Sequence, residues 1–173
     1  MMLVRTYLAQ SEIQGLGVFA GEYIPAGRQV WGLNPKFDIF VCGEEIATLP
    51  SHMQDYLARY SYPHLEIAGV RIVDCDDGKF MNHSEQPNTD FHIFDRGYSL
   101  FDISPGEELT CNYFEFDPGF QGFGSESALE VVISAIQSRH FRPGAVTSPC
   151  PVRLPPPSAL PRLRGSWAGS PAA

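Results

Sequence analysis

Punctuation constrains this chain more than hydrophobicity does. Between residues 3 and 124 glycine or proline cuts the apolar runs after only a few residues. In GLGVFAGEYIPAGRQVWGLN, Gly15 to Asn34, the short runs Val18–Ala20 and Gln29–Leu33 flank a bend marked by Gly21, Pro25 and Gly27. Glycine reaches left-handed backbone, and proline fixes φ and removes a donor, so such residues end strands and start turns. Val4–Ala9 reads as a small strand, as do Leu65–Ala68, Val70–Asp74, Thr89–Phe94 and Tyr98–Ile103, and a last short strand follows the Pro105-Gly106 turn. One segment breaks the rhythm. In EEIATL and PSHMQDYLARY, Met53, Tyr56, Leu57 and Tyr60 recur at helical spacing, and Pro50 suits a helix first turn. This places a helical insertion at about 44–61. Many short strands around one such insertion predict a mostly-β α+β domain over residues 3–124.

The texture changes after Gly124. Ser127 and Glu130 have capping-box spacing, and Ala128, Leu129, Val132, Ile133 and Ile136 make an apolar face, so a helix is expected over 125–141. Residues 142–173 are proline-rich, with Pro155-Pro156-Pro157, and too poor in apolar surface to offset their chain entropy; disorder is expected there. Charge is also divided. All 20 acidic residues stand at or before Glu130 with seven of the twelve basic ones, a balance of −13. That body should repel nucleic acid, whose binding depends on neutralising phosphates, and attract a basic protein segment; acidity that merely aids solubility is the plainer alternative.

With 43% apolar and 12% aromatic residues the chain can build a core. No apolar run approaches the ~20 residues of a membrane span, and the N-terminal stretch carries no secretory pattern. Cys42, Cys75, Cys111 and Cys150 stand far apart without a C-x-x-C, against a zinc ribbon or a disulfide scaffold. A reducing, cytoplasmic setting is expected, with the nucleus as the alternative for a eukaryotic or viral protein.

Three segments hold residues able to do chemistry. Gly15-Leu16-Gly17 lies between two strands and lacks the third glycine and long helix of a dinucleotide fold; it is a bare turn or a place where backbone meets a ligand. FMNHSEQPNTDF, Phe80 to Phe91, offers His83 and Ser84, but neighbours on an extended chain point to opposite faces and cannot easily relay a proton. His83 has no His or Cys partner at ligand spacing, so no metal site is expected. GEELTCNYFEF, Gly106 to Phe116, ends in Tyr113, Phe114 and Phe116, with Phe120 and Phe123 beyond. These are core aromatics or the walls of a pocket for an ammonium or sulfonium cation.

Taken in order, G-x-G-V-F-A, N-H-S-x-x-P-N and G-E-E-L-T-x-x-Y resemble the SET-domain protein lysine methyltransferases, over roughly Val4 to Phe123. The resemblance implies a β-clip fold with knot-like threading and S-adenosylmethionine as cofactor. It places Gln14, Gly15, Leu16 and Gly17 in the first cofactor-contacting loop, and Asn82 and His83 at the cofactor's amino group and adenine. Tyr113 matches the tyrosine beside the transferring methyl, with Cys111, Phe114, Phe116 and Phe120 along the substrate channel. A methyl on sulfonium is already activated, so catalysis reduces to presenting a neutral lysine amine in line, aided by the depression of its pKa beside a positive charge.

The chain departs from its relatives in places. Glu85 stands where many have cysteine, and no cysteine cluster follows Tyr113, so the zinc-bound flap of several relatives is absent. Phe116, Phe120 and the expected terminal helix are the candidates to close the channel instead. Asn112 replaces a common Asp, and Lys79 a common Arg. Cys111 occupies a position where Phe or Tyr often limits the methylation state, so higher states are expected. The implied substrate is a basic lysine-containing protein: a histone, a histone-like protein or a ribosomal protein. No nucleic-acid or membrane partner is expected, and the oligomeric state is open, a homodimer included. The chain resembles a small standalone member of bacterial or viral type. A catalytically silent SET-like module that binds peptides is the competing reading.

Overall fold

None of these short strands can bury itself, and the computed structural model, which describes residues 1–120, shows how they combine. β1 (Thr6–Gln10) and β2 (Leu16–Ala20) form an antiparallel hairpin with Thr6 opposite Ala20 and Gln10 opposite Leu16. β3 (Gln29–Gly32) follows the Pro25–Gly27 bend. β4 (Ile39–Cys42) leads into helices α1 (Gly43–Ile46) and α2 (Ser51–Tyr60), and β5 (Tyr62–Pro63) and β6 (Val70–Val73) return from them. β7 (Asn82–His83), β8 (Thr89–Asp90), β9 (Arg96–Ser99) and β10 (Glu108–Cys111) follow, with 3-10 turns at Asp77–Phe80 and Tyr113–Glu115. The described chain is therefore mostly β with few helices.

Three small sheets result, ordered β1-β2-β10-β7, β3-β9-β8 and β4-β6-β5. β10 is the pivot. It runs antiparallel to β2, with Leu109 opposite Val18, and parallel to β7, with Thr110 opposite Asn82 and Cys111 opposite His83. A parallel pair needs a long crossover between its strands, and β8 and β9 occupy it here. The main core, including Val18, Ile24, Val30, Ile103 and Leu109, is sealed from solvent between the sheets. A smaller cluster of Ile46, Leu57 and Val73 lies under the helices. The buried Asp74 carboxylate joins the second and third sheets, accepting from Trp31 Nε1 at 2.9 Å and from the Tyr62 hydroxyl at 3.0 Å. Burial raises its pKa, and these donors oppose that shift.

Several expected strands are shorter than their apolar runs, and the reasons are local. Leu65–Ala68 is not a strand: the His64 imidazole Nδ1 accepts the N–H groups of Glu66 and Ile67, both at 3.1 Å, and holds the segment as a turn. The strand read over Thr89–Phe94 stops at Asp90, whose carboxylate accepts the His92 N–H at 2.9 Å. The strand read over Tyr98–Ile103 is displaced toward Arg96 and ends at Ser99, whose hydroxyl donates to the Pro25 carbonyl at 2.7 Å. β4 was not legible as a strand, because it pairs with β6 across the whole insertion. In α2 only Leu57 of the periodic set is buried, while Met53 and Tyr56 are exposed. Pro50 stands one place before the helix, its carbonyl accepting from Met53 and Gln54. The helix expected over 125–141 and the tail at 142–173 lie outside the described residues.

Candidate active site

The loop between β1 and β2 is held in shape by its own backbone and by a distant carboxylate. Ser11 N–H donates to the Gly15 carbonyl at 2.9 Å, and Gly15 takes φ +55°, in the left-handed region. A Cβ on Gly15 would meet nothing within 4 Å, so its requirement is conformational and its outer side is open to a ligand. Gly17 is needed for a different reason. A Cβ there would lie 2.2 Å from Glu108 Oε1, so glycine makes room for that carboxylate. Asn82, buried at the start of β7, donates through Nδ2 toward the Leu16 carbonyl (3.1 Å), the Gln14 carbonyl (3.2 Å) and Glu108 Oε1 (2.8 Å). Residues 14–17 and Asn82 thus meet across 66 to 68 positions of sequence.

The β7/β10 pairing brings the second and third segments together. His83 Nδ1 accepts the Tyr113 backbone N–H at 3.1 Å, which in the neutral ring leaves the proton on Nε2. The Tyr113 hydroxyl donates to the Met81 carbonyl at 2.7 Å, and burial raises its pKa well above that of a free phenol. It therefore stays protonated throughout the neutral range. Asn112 caps the 3-10 turn that carries Tyr113, accepting the Phe114 N–H at 3.1 Å.

Aromatic rings surround this pair. The Phe120 ring centroid lies 5.0 Å from His83 and 5.1 Å from Tyr113, and Phe114 lies 5.7 Å from His83. Phe116 packs on Tyr113, Tyr62 and Phe91, at 5.6 Å from each. The expected channel residues are placed unequally. Phe114 is 55% exposed, whereas Cys111 is 3% exposed within the main core, where burial raises its thiol pKa. The carbonyls of Gln14 and Leu16, which accept from Asn82 and each keep a second lone pair, the open backbone at Gly15 and the aromatic faces around His83 are electron-rich groups of a kind that suits a cationic ligand with a flat heterocycle.

Reading the sequence alone missed several residues that build this site. Asn88, last in N-H-S-x-x-P-N, behaves as a strand partner for β10: its Oδ1 accepts the Thr110 N–H and its Nδ2 donates to the Glu108 carbonyl, both at 2.8 Å. Thr89, fully buried, donates its hydroxyl to the Thr110 carbonyl at 2.7 Å. Glu108 and Ser11 were missed as well, although Glu108 lies inside a recognised motif. The sequence signal of Glu108 is its place in that motif, and Ser11, outside all three segments, has none.

Among the described residues, Asp90, His92 and Glu115 are the group whose ligand atoms lie together, within 4.8 Å of one another. His92 Nδ1 is 2.7 Å from Asp90 Oδ1 and 3.6 Å from Glu115 Oε1, and Glu115 Oε2 accepts the Phe91 N–H at 2.7 Å. The hydrogen bond to Asp90, and then the Glu115 charge, raise the His92 pKa. The network ties β8 to the turn that carries Tyr113.

Fold and site together define a small mostly-β domain in which the glycine loop meets Asn82 and the tyrosine turn meets His83, the next residue on the same strand. A family model for the SET domain matches residues 15–114, and the chain belongs to the SET-domain family. The sequence matches no curated protein. Among solved structures it is similar to a chain of the Polycomb repressive complex 2 of Chaetomium thermophilum in an autoinhibited conformation bound to S-adenosylmethionine. That likeness has a TM-score of 0.54 and 21% identity, over 78% of this chain and 17% of that one. A crystal structure of the same complex gives a TM-score of 0.50 and 24% identity, over 64% of this chain and 15% of that one. At these identities the likeness is one of fold, and this chain spans less than a fifth of the length of these two chains.

Proposed function

We propose that this chain transfers a methyl group from S-adenosylmethionine to the ε-amine of a lysine in a basic protein. The observation that carries the reading is the meeting of the Gln14–Gly17 loop, Asn82, His83 and the Tyr113 turn in a chain of the SET family. When bound, the cofactor supplies a methyl group already activated by its sulfonium. The protein's part is then to bind, orient and exclude water. Gln14 to Gly17 offer backbone to the cofactor, Asn82 fixes that loop, and His83 with Phe114 and Phe120 forms an aromatic wall. Tyr113 orients the amine and lines the channel, with Phe116 and Phe120 narrowing it and Cys111 at its inner end. Knot-like threading of the β7 and β10 segments belongs to this proposal, and their parallel pairing supports it.

An acidic surface suits a Lys/Arg-rich segment such as a histone tail, a histone-like protein or a ribosomal protein. The thiol of Cys111, smaller than an aromatic ring and without a phenol, favours methylation beyond the first methyl. The test is radiolabelled methyl transfer to a panel of basic proteins, with the modified residue and its methylation state mapped by mass spectrometry. Label on a lysine is expected. Absence of label together with no thermal stabilisation by S-adenosylmethionine would reject the enzyme in favour of a silent module, because a ligand of the native state must raise its apparent stability.

A further inference from the structure

Glu108 joins Asn82 in tying the three segments of the site together. Its carboxylate accepts from the Ser11 hydroxyl, at 2.9 Å to each oxygen, and from Asn82 Nδ2 at 2.8 Å. Ser11 in turn accepts the Ile13 N–H at 2.9 Å, so the acidic group holds the loop through a two-bond relay. The space it occupies is the space that a side chain on residue 17 would need. We infer that Glu108 is a positioning residue whose carboxylate clamps the Ser11–Gly17 loop to Asn82 and so presets the cofactor-binding backbone.

The inference deepens the proposed function and rests on it, since it assigns the loop to S-adenosylmethionine. Glu107, its neighbour, serves the other face of the strand: its carboxylate accepts the Ser104 N–H and closes the Pro105-Gly106 turn. The two glutamates are therefore not interchangeable. An amide oxygen in place of Oε1 still accepts from Ser11 and Asn82, whereas alanine leaves both donors without that acceptor. Gly17 and Glu108 also form a steric pair. Gly17→Ala acts mainly by displacing the carboxylate, so most of its clash goes with the carboxylate and only a 3.1 Å approach to Ser11 Cβ is left.

The experiment is titration of the full chain with S-adenosylmethionine by calorimetry, well below the melting temperature, together with amide hydrogen exchange of residues 11–17. Glu108→Ala is expected to weaken binding about 10-fold or more and to speed exchange at Ser11 and Ile13. Glu108→Gln is expected to stay within about threefold of the unaltered protein. Gly17→Ala should cost about as much as Glu108→Ala, and the double variant no more than either. S-adenosylhomocysteine, which lacks the sulfonium charge, should lose affinity by the same factor. Losses that multiply in the double variant, or a loss confined to the cationic ligand, overturn the inference in favour of direct cofactor contact. Unchanged binding and exchange in Glu108→Ala overturn it while leaving the proposed function intact. No binding by the unaltered protein overturns the function, and this inference with it.

Discussion

In the β1-β2-β10-β7 sheet the side-chain bonds cross long stretches of chain, whereas around α1 and α2 they stay local. Ser11 reaches Glu108 across 97 positions and Asn82 reaches Gln14 across 68. In the insertion, Thr48 donates to the Glu45 carbonyl and Gln54 to the Leu49 carbonyl, three and five positions away. The cores differ in the same sense: ten buried residues drawn from distant segments against Ile46, Leu57 and Val73. Local bonds cost little loop-closure entropy and leave neighbouring elements independent. Long-range bonds fix the relation of segments that have no other reason to meet. The site is made of such relations, so injury there should affect both stability and binding, while injury to the insertion should affect stability alone.

The largest expected effect comes from cutting the pivot. Leu109, fully buried between β2 and β7, becomes a cavity in Leu109→Ala. The loss should be about 3–5 kcal/mol by urea unfolding, with weaker S-adenosylmethionine binding in the fraction that remains folded. Retention of full affinity at that cost would break the comparison, since it would uncouple the pivot from the pocket.

Tyr113→Phe should lower methyl transfer about 100-fold, the scale for removing one preorganised polar group beside a developing charge. Cofactor affinity should stay within about twofold in calorimetry, because the His83 bond is to the backbone N–H and survives the change. Unchanged turnover would remove the proposed role of the hydroxyl. Leu57→Ala should cost about 2–3 kcal/mol, the lower part of the range for buried leucine because its cluster is small. Binding should be intact here; an equal loss of affinity would show that the insertion is not independent.

The smallest effect is a pH dependence. Its raised pKa means that the folded protein holds the His92 proton more tightly than the unfolded chain. The contribution is therefore full below about pH 6.5, the unfolded value, and is lost as pH rises through the higher folded-state value. His92 is 74% exposed, so screening limits the effect to about 0.5 kcal/mol or less. Melting temperatures of the unaltered protein and His92→Gln should converge above that window and separate below it. Parallel profiles would sharpen the view that only buried, long-range contacts matter near Tyr113.

The strands β1 and β2, though not their pairing, the helices of the insertion and the segment preceding Tyr113 are legible in the sequence because each rests on neighbours in the chain. Capping, turn residues and helical spacing act over a few positions. The strand expected at Leu65–Ala68 does not form because a side chain outcompetes the ladder, His64 taking the N–H groups of Glu66 and Ile67. β4 has no local signal because its partner β6 lies beyond two helices. The candidate site was legible as three motifs but not as a geometry.

What the sequence determined by itself was a set of short strands and three segments that resemble one family. Only the tertiary structure decided which residue of each segment performs which task. Two adjacent glutamates are equivalent in a string, yet strand alternation sends Glu107 to its own turn and Glu108 to the loop of Ser11. Two glycines are equivalent as well, yet Gly15 serves a left-handed backbone and Gly17 a carboxylate from the far end of the chain. Cys111 and Phe114 are expected alike along one channel, yet Cys111 is packed into the main core and Phe114 is exposed. The physical reason is the same in each case: steric space and hydrogen-bond partners belong to the packed assembly, and no local rule contains them.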